Sequence, residues 1–191
     1  PNPITVATGT RIYVRYSDGT NQGDKYAAVT PILTYNVVYR PNGGIGNNIT
    51  DSNRNYGTTY QTKAANTFSR TGYTFTGWSS GVAQGLQVGE AKTGTTANPS
   101  TAWNGTATKN TYFKNLRSDV GTVTLVANWN INSYTVTYNY AENGGTSATK
   151  TTQSVNYNSV IDLTPTATKS GYTFVGWNTN KDATTGLASL K

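Results

Sequence analysis

The chain has 191 residues, with 15 Lys and Arg against 8 Asp and Glu, a formal net charge of +7, and neither His nor Cys. The lack of both removes the commonest general base, the thiolate nucleophile, soft-metal ligands and any disulfide framework. Charged residues are only 12% of the sequence, and polarity is carried by Thr, Asn, Ser, Gly and Tyr, a mixture that favours strands and turns over helices.

Residues 1–34 form a leading segment that does not match the start of a repeat, although Arg11 to Tyr16 resembles the strand that closes the first copy, with Ile12 over Leu125, Val14 over Ala127 and Tyr16 over Trp129. It begins Pro-Asn-Pro, with no initiator Met, basic n-region or apolar h-region, and so reads as an internal piece of something longer. Within it, Arg11 to Tyr16 alternates apolar residues at Ile12, Val14 and Tyr16 as a strand does. Two readings are open: the tail of a preceding module plus a linker or hairpin, or a strand supplied to a neighbouring subunit.

From Tyr35 onward the sequence repeats. Tyr35 to Tyr39 precedes an Asn-Gly-Gly turn at Asn42 to Gly44, and Tyr134 to Tyr138 precedes another at Asn143 to Gly145. Asn55 to Thr58 and Asn156 to Ser159 hold the middle of each copy, and Gly72-Tyr-Thr-Phe-Thr-Gly-Trp78 returns as Gly171-Tyr-Thr-Phe-Val-Gly-Trp177. The distance from turn to Gly-Tyr-Thr-Phe differs by two residues between copies, which implies one fold used twice. The glycines of the turn supply the positive φ that a tight reversal demands.

Strict alternation places Tyr73 and Phe75 on one face and Trp78 on the other, unless Gly77 marks a bulge that rotates the indole inward; the same choice applies to Trp177 after Gly176. Val123, Leu125, Ala127 and Trp129 share one face of a strand that closes the first copy, and Tyr134, Val136, Tyr138 and Tyr140 share one face of the strand that opens the second. Only Asn130 to Ser133 lie between, a connection of at most about 14 Å that predicts restricted module orientations and a semi-rigid rod.

The ordered set of motifs resembles the Listeria-Bacteroides repeat, also called the internalin B-repeat. The resemblance implies a mainly β chain of tandem small β-grasp-like modules with little helix, of the kind strung along large bacterial surface proteins and adhesins. On that basis residues 35–129 are module 1 and residues 134–191 module 2. Module 1 departs from the pattern by an insertion of about residues 81–119, whose Trp103, Tyr112 and Phe113 predict that it folds. Module 2 stops at Lys191 with no counterpart of Thr124 to Trp129, which leaves a sheet edge to be filled by further sequence or by another chain.

Chemistry has little to work with. Asp18, Asp24, Asp51, Glu90, Asp119, Glu142, Asp162 and Asp182 are scattered singly, with no calcium-loop or glycosidase spacing, so no catalytic, cofactor or metal residue is nominated. An amide between a Lys and an Asn or Asp is open as a covalent option, with no particular trio singled out. The basic residues are dispersed, without the cluster or helix pattern of a nucleic-acid binder, and no apolar run spans a bilayer. Asn48-Ile-Thr50 and Asn104-Gly-Thr106 read as polar turns.

The resulting expectation is a non-enzymatic, extracellular repeat segment, on the bacterial surface or in the cell wall, acting as stalk, spacer or fibre. Its partners would be neighbouring modules of the same long chain. Two alternatives stand beside it. One is a module that binds host or envelope glycans or other anionic polymers through the insertion, where Trp103, Tyr112 and Phe113 have no partner in the second copy. The other is a filament subunit that self-associates by strand addition.

Overall fold

A computed structural model describes residues 12–13, 28–29, 32–64, 67–87 and 89–191, the first two pairs by backbone alone. The described residues contain strands and turns, a 3-10 turn at Val82–Gln84 and no α-helix. The chain is mainly β and is divided among several small sheets. Two compact units emerge: one comprises residues 1–69 and 75–128, the other residues 70–74 and 129–191.

In the leading segment, β1 (Ile12–Tyr13) pairs antiparallel with β2 (Ala28–Val29). The packing of Ile12 and Val14, on which the two readings of this segment turn, lies outside the described residues.

The principal sheet of the first unit uses β3 (Thr34–Arg40), β4 (Ile49–Asn55), β6 (Tyr73–Ser79), β9 (Thr106–Thr108) and β11 (Thr122–Ile131), in the order β4-β3-β11-β6-β9. β3 and β4 are antiparallel, whereas β11 runs parallel to β3 with Val123 opposite Val37 and Leu125 opposite Tyr39. Alternation explains which side chains enter the core. Tyr35, Val37 and Tyr39 of β3 and Val123, Leu125 and Ala127 of β11 are buried, while the residues between them are half-buried.

The insertion is folded. With β5 (Tyr60–Gln61) it builds a second sheet from β7 (Lys92–Gly94), β8 (Thr101–Ala102) and β10 (Tyr112–Lys114), ordered β5-β10-β7-β8. Its β9 adds to the edge of the principal sheet by pairing with β6. Leu86, Ala91, Trp103, Phe113 and Leu116 are buried, with Trp103 and Phe113 meeting edge to face at 6.3 Å. That much apolar surface is what allows so polar a segment to offset the entropy of ordering.

In the second unit β12 (Ser133–Thr137) pairs antiparallel with β14 (Thr152–Asn156), and β13 (Ser147–Ala148) with β15 (Ala167–Thr168). The four residues that look like a connector in the sequence are mostly absorbed into structure: β11 runs through Ile131 and β12 starts at Ser133, leaving Asn132 between them. Ile131 is 40% exposed. Within this unit Asn132 donates its N–H to the Gly72 carbonyl at 2.9 Å and accepts from the Thr74 hydroxyl at 2.6 Å. The ring of Tyr157 lies so close over Gly72 that a Cβ there would stand 2.0 Å from it, which together with a φ of +76° reserves the position for glycine.

Candidate functional site

The most distinctive constellation is a tryptophan-centred cluster that appears twice. In the first unit Trp78 is wholly buried, with Phe75 at 5.0 Å, Tyr39 at 4.9 Å and Phe68 at 5.8 Å, all edge-on. Its indole N–H donates to the Lys63 carbonyl at 3.2 Å, so burying the polar tip leaves nothing unsatisfied. In the second unit Trp177 has Phe174 at 5.3 Å and Tyr138 at 5.0 Å, and donates to the Pro165 carbonyl at 2.7 Å.

Glycine settles how the indole reaches the core. Gly77 has φ +155° and Gly176 φ +135°, and each lets the following Trp turn onto the same side as the preceding Phe. Of the two orientations compatible with the sequence, the inward rotation is the one adopted. A Cβ at Gly77 would stand 2.2 Å from the Ala107 carbonyl on β9, so the absent side chain also admits the neighbouring strand.

The correspondence reaches the turns. Tyr73 donates its N–H to Arg70 at 3.0 Å and Tyr172 to Lys169 at 3.1 Å; in each turn the cation sits over the tyrosine ring, at 3.9 Å for Arg70 and 4.2 Å for Lys169. Tyr56 donates to Leu33 at 2.7 Å and Tyr157 to Asn132 at 2.8 Å. Both Asn-Gly-Gly turns use left-handed glycine, but differently: Asn42 and Gly43 are both positive in φ, whereas in the second only Gly144 is.

The two copies part company at the closing strand. In the first, the Asn42 side-chain amide donates to the Ala127 carbonyl of β11 at 2.8 Å, and Thr76 and Ser79 of β6 both bond to Asn128. In the second no strand fills that place among the described residues, and Asn143 turns its amide to the Lys181 carbonyl at 3.0 Å instead. An open groove of about 700 Å³ occupies the region, lined among others by Val136, Tyr138, Phe174, Val175, Trp177 and Leu187.

Electrostatics are local. Asp51 receives Arg54 at 2.7 Å and Lys63 at 2.9 Å; burial pushes its carboxyl up, but these hydrogen bonds and charges outweigh burial and hold it below the ordinary value. Arg54 also stacks over Tyr60 at 4.4 Å. Burial pushes the Tyr35 phenol up to about 12 and raises Tyr39 further. Among the described residues no group of three or more carboxylates gathers as a metal site, and no helix is long and apolar enough to cross a membrane.

Of the aromatic residues singled out in the insertion, Trp103 and Phe113 have no exposed surface and form its core, while Tyr112 is half-buried on β10. The groove beside β12 was signalled in the sequence only by the absence of a closing strand. Its lining could not be foreseen, because Leu187 and Ile161 arrive from segments without strand periodicity.

A β-strand protein that uses one aromatic cluster twice is a tandem repeat protein, and the chain belongs to the Listeria-Bacteroides repeat domain family, whose profile matches residues 35–127 and 134–189. It is similar to Internalin H of Listeria monocytogenes serovar 1/2a (strain ATCC BAA-679 / EGD-e), with 36% identity over 115 residues, which is 60% of this chain and 15% of that protein. No solved structure matches it significantly. Family and relative together support a bacterial surface repeat protein.

Proposed function

We propose that the chain is a non-enzymatic segment of an adhesin, exported to the bacterial surface or cell wall, where it serves as stalk, spacer or fibre. The observation that carries this reading is the pairing of β3 with β11. They are the first and last strands of the first copy, adjacent and parallel, with partners running from Asn36 opposite Thr122 to Arg40 opposite Val126.

Because the strands are parallel, tension entering at the start of β3 and leaving at the end of β11 slides one along the other. The ladder is then loaded in shear, with its hydrogen bonds sharing the force rather than opening in succession. A module built this way suits a chain that holds something at a distance under load. The duplicated core, and the scarcity of groups able to carry chemistry, agree with an architectural task.

Single-molecule pulling tests it. The chain has no Cys, so engineered thiols give unique handles. Handles at Thr34 and Asn130 load the β3–β11 ladder in shear, and handles at Arg40 and Asn130 unzip it from one end. A clearly higher unfolding force in the first geometry is expected; equal forces would sink the mechanical reading.

A further inference from the structure

The sheet built by the insertion has two faces of opposite character. Ala91 just before β7, Trp103 just after β8 and Phe113 of β10 are buried on one side. Alternation puts Lys92, Lys114, Tyr112 and Gln61 on the other, where Gln61 is exposed and the rest are half-buried. The register makes Lys92 the direct partner of Lys114, and sets Tyr112 opposite Gln61 on one side and Gly94 on the other.

Two lysine side chains thus leave the same face about 5 Å apart at their Cβ atoms. Like charges placed opposite one another work against the pairing of their strands, and nothing relieves them: among the described residues neither lysine forms an ion pair with a carboxylate. Glu90, two residues before Lys92, instead accepts from the Tyr56 hydroxyl at 2.6 Å. Lysines on a sheet commonly guard an edge against unwanted pairing, but β10 and β7 are the two inner strands of the order β5-β10-β7-β8. A pair that costs stability, and serves neither packing nor edge protection, marks a functional surface.

We infer that this face binds an acidic polysaccharide. The paired ammonium groups receive a carboxylate or sulfate ester of the polymer. The Tyr112 ring, two residues along β10 and about 7 Å away, takes the apolar face of an adjoining sugar. Gln61 donates its side-chain N–H to the Asn110 carbonyl at 3.1 Å and keeps its own side-chain carbonyl as acceptor for a sugar hydroxyl. Two cations beside an aromatic ring and an amide suit a ligand that carries hydroxylated rings as well as charge, rather than a plain polyanion. Of the three aromatic residues singled out in the insertion, Tyr112 is the one on this face, with Phe113 and Trp103 supporting it from behind. The inference stands apart from the mechanical role, because pulling on β3 and β11 does not read this face.

The test is titration calorimetry of the intact chain with a galacturonate hexamer, with maltohexaose as neutral control and linear hexaphosphate as charge-only control. Saturable binding of the galacturonate is expected, weakened by added salt, with amide shifts in NMR spectra confined to β5, β7 and β10. Lys92→Gln and Lys114→Gln should each lower the affinity about two- to five-fold. Each should also raise the midpoint of thermal unfolding, because repulsion across the strand pair is relieved, and that rise shows the variants to be folded. Tyr112→Leu should abolish the preference for galacturonate over hexaphosphate. Lys150→Gln, which removes the same charge from the second unit, should leave the affinity unchanged. No binding of galacturonate, binding of hexaphosphate or maltohexaose as tight as that of galacturonate, or an equal loss with Lys150→Gln would overturn the site. So would a lower unfolding midpoint in either lysine variant, since lysines that stabilise their sheet need no ligand to account for them.

Discussion

Tyr39 meets Trp78 edge-on, with ring centroids 4.9 Å apart and planes inclined at 72°. The positive edge of one ring against the negative face of the other adds about 0.5–1.5 kcal/mol to what burial alone contributes. Replacing Trp78 with Ala should therefore cost about 3–5 kcal/mol, enough to unfold a marginal domain. The same change at Trp177, half-buried and with fewer rings around it, should cost visibly less. Urea melts followed by circular dichroism of the two variants check the order; equal losses would mean that the second cluster is as closed as the first.

Gly77→Ala should destabilise the principal sheet. The φ of +155° disfavours a side chain, at about 1–3 kcal/mol, and the new Cβ would be driven into the Ala107 carbonyl. Amide exchange should show β9 released from β6 before the rest of the sheet is affected.

Stability should fall at both ends of the pH scale, for different reasons. Asp51 has a folded-state pKa below its ordinary value, so its contribution is complete above about pH 4 and is lost as pH falls through the folded value. Asp51→Asn should remove that part of the acid sensitivity. Tyr35 has a folded-state pKa raised to about 12, so its contribution is complete below about pH 10 and is lost as pH rises toward 12. Tyr35→Phe should blunt the alkaline loss, as measured by melts across the range.

Trp103→Ala should cost about 3–5 kcal/mol in the sheet built by the insertion, since the indole is wholly buried against Phe113. Tyr112→Ala, at a half-buried position beside Gln61 and Gly94, should cost less. A glycan array of both variants would show directly whether either side chain touches a sugar.

Strand periodicity makes the core of β3 and β11 readable from the residues alone, because at each position a side chain must choose one of two faces. Tyr35, Val37, Tyr39, Val123, Leu125 and Ala127 all fall where alternation puts them. Trp78 is ambiguous in the sequence for a physical reason: a single positive φ at Gly77 reverses the facing, and nothing in the residue names fixes that angle. The partition of the chain is harder still to read. Residues 70–74 belong by sequence to the first copy, yet cluster with the second unit, through Asn132 and through the Tyr157 ring that rests on Gly72. Contacts of that kind join residues far apart in the chain and leave no periodic trace. The groove is legible only as a missing motif, since its walls include irregular segments.

The insertion leaves the principal sheet after β6 and returns at β11, two strands that are neighbours in that sheet. Its ends are therefore already held close by the host, and lengthening such a detour costs only about 0.6 kcal/mol for each doubling. The loops of the crossover can therefore be lengthened at little cost to the β3–β11 ladder, while its β9, paired with β6 opposite Trp78, stays part of the sheet. Variation in what a repeat of this design presents to its surroundings can thus accumulate at one port, while the β3–β11 ladder stays the same.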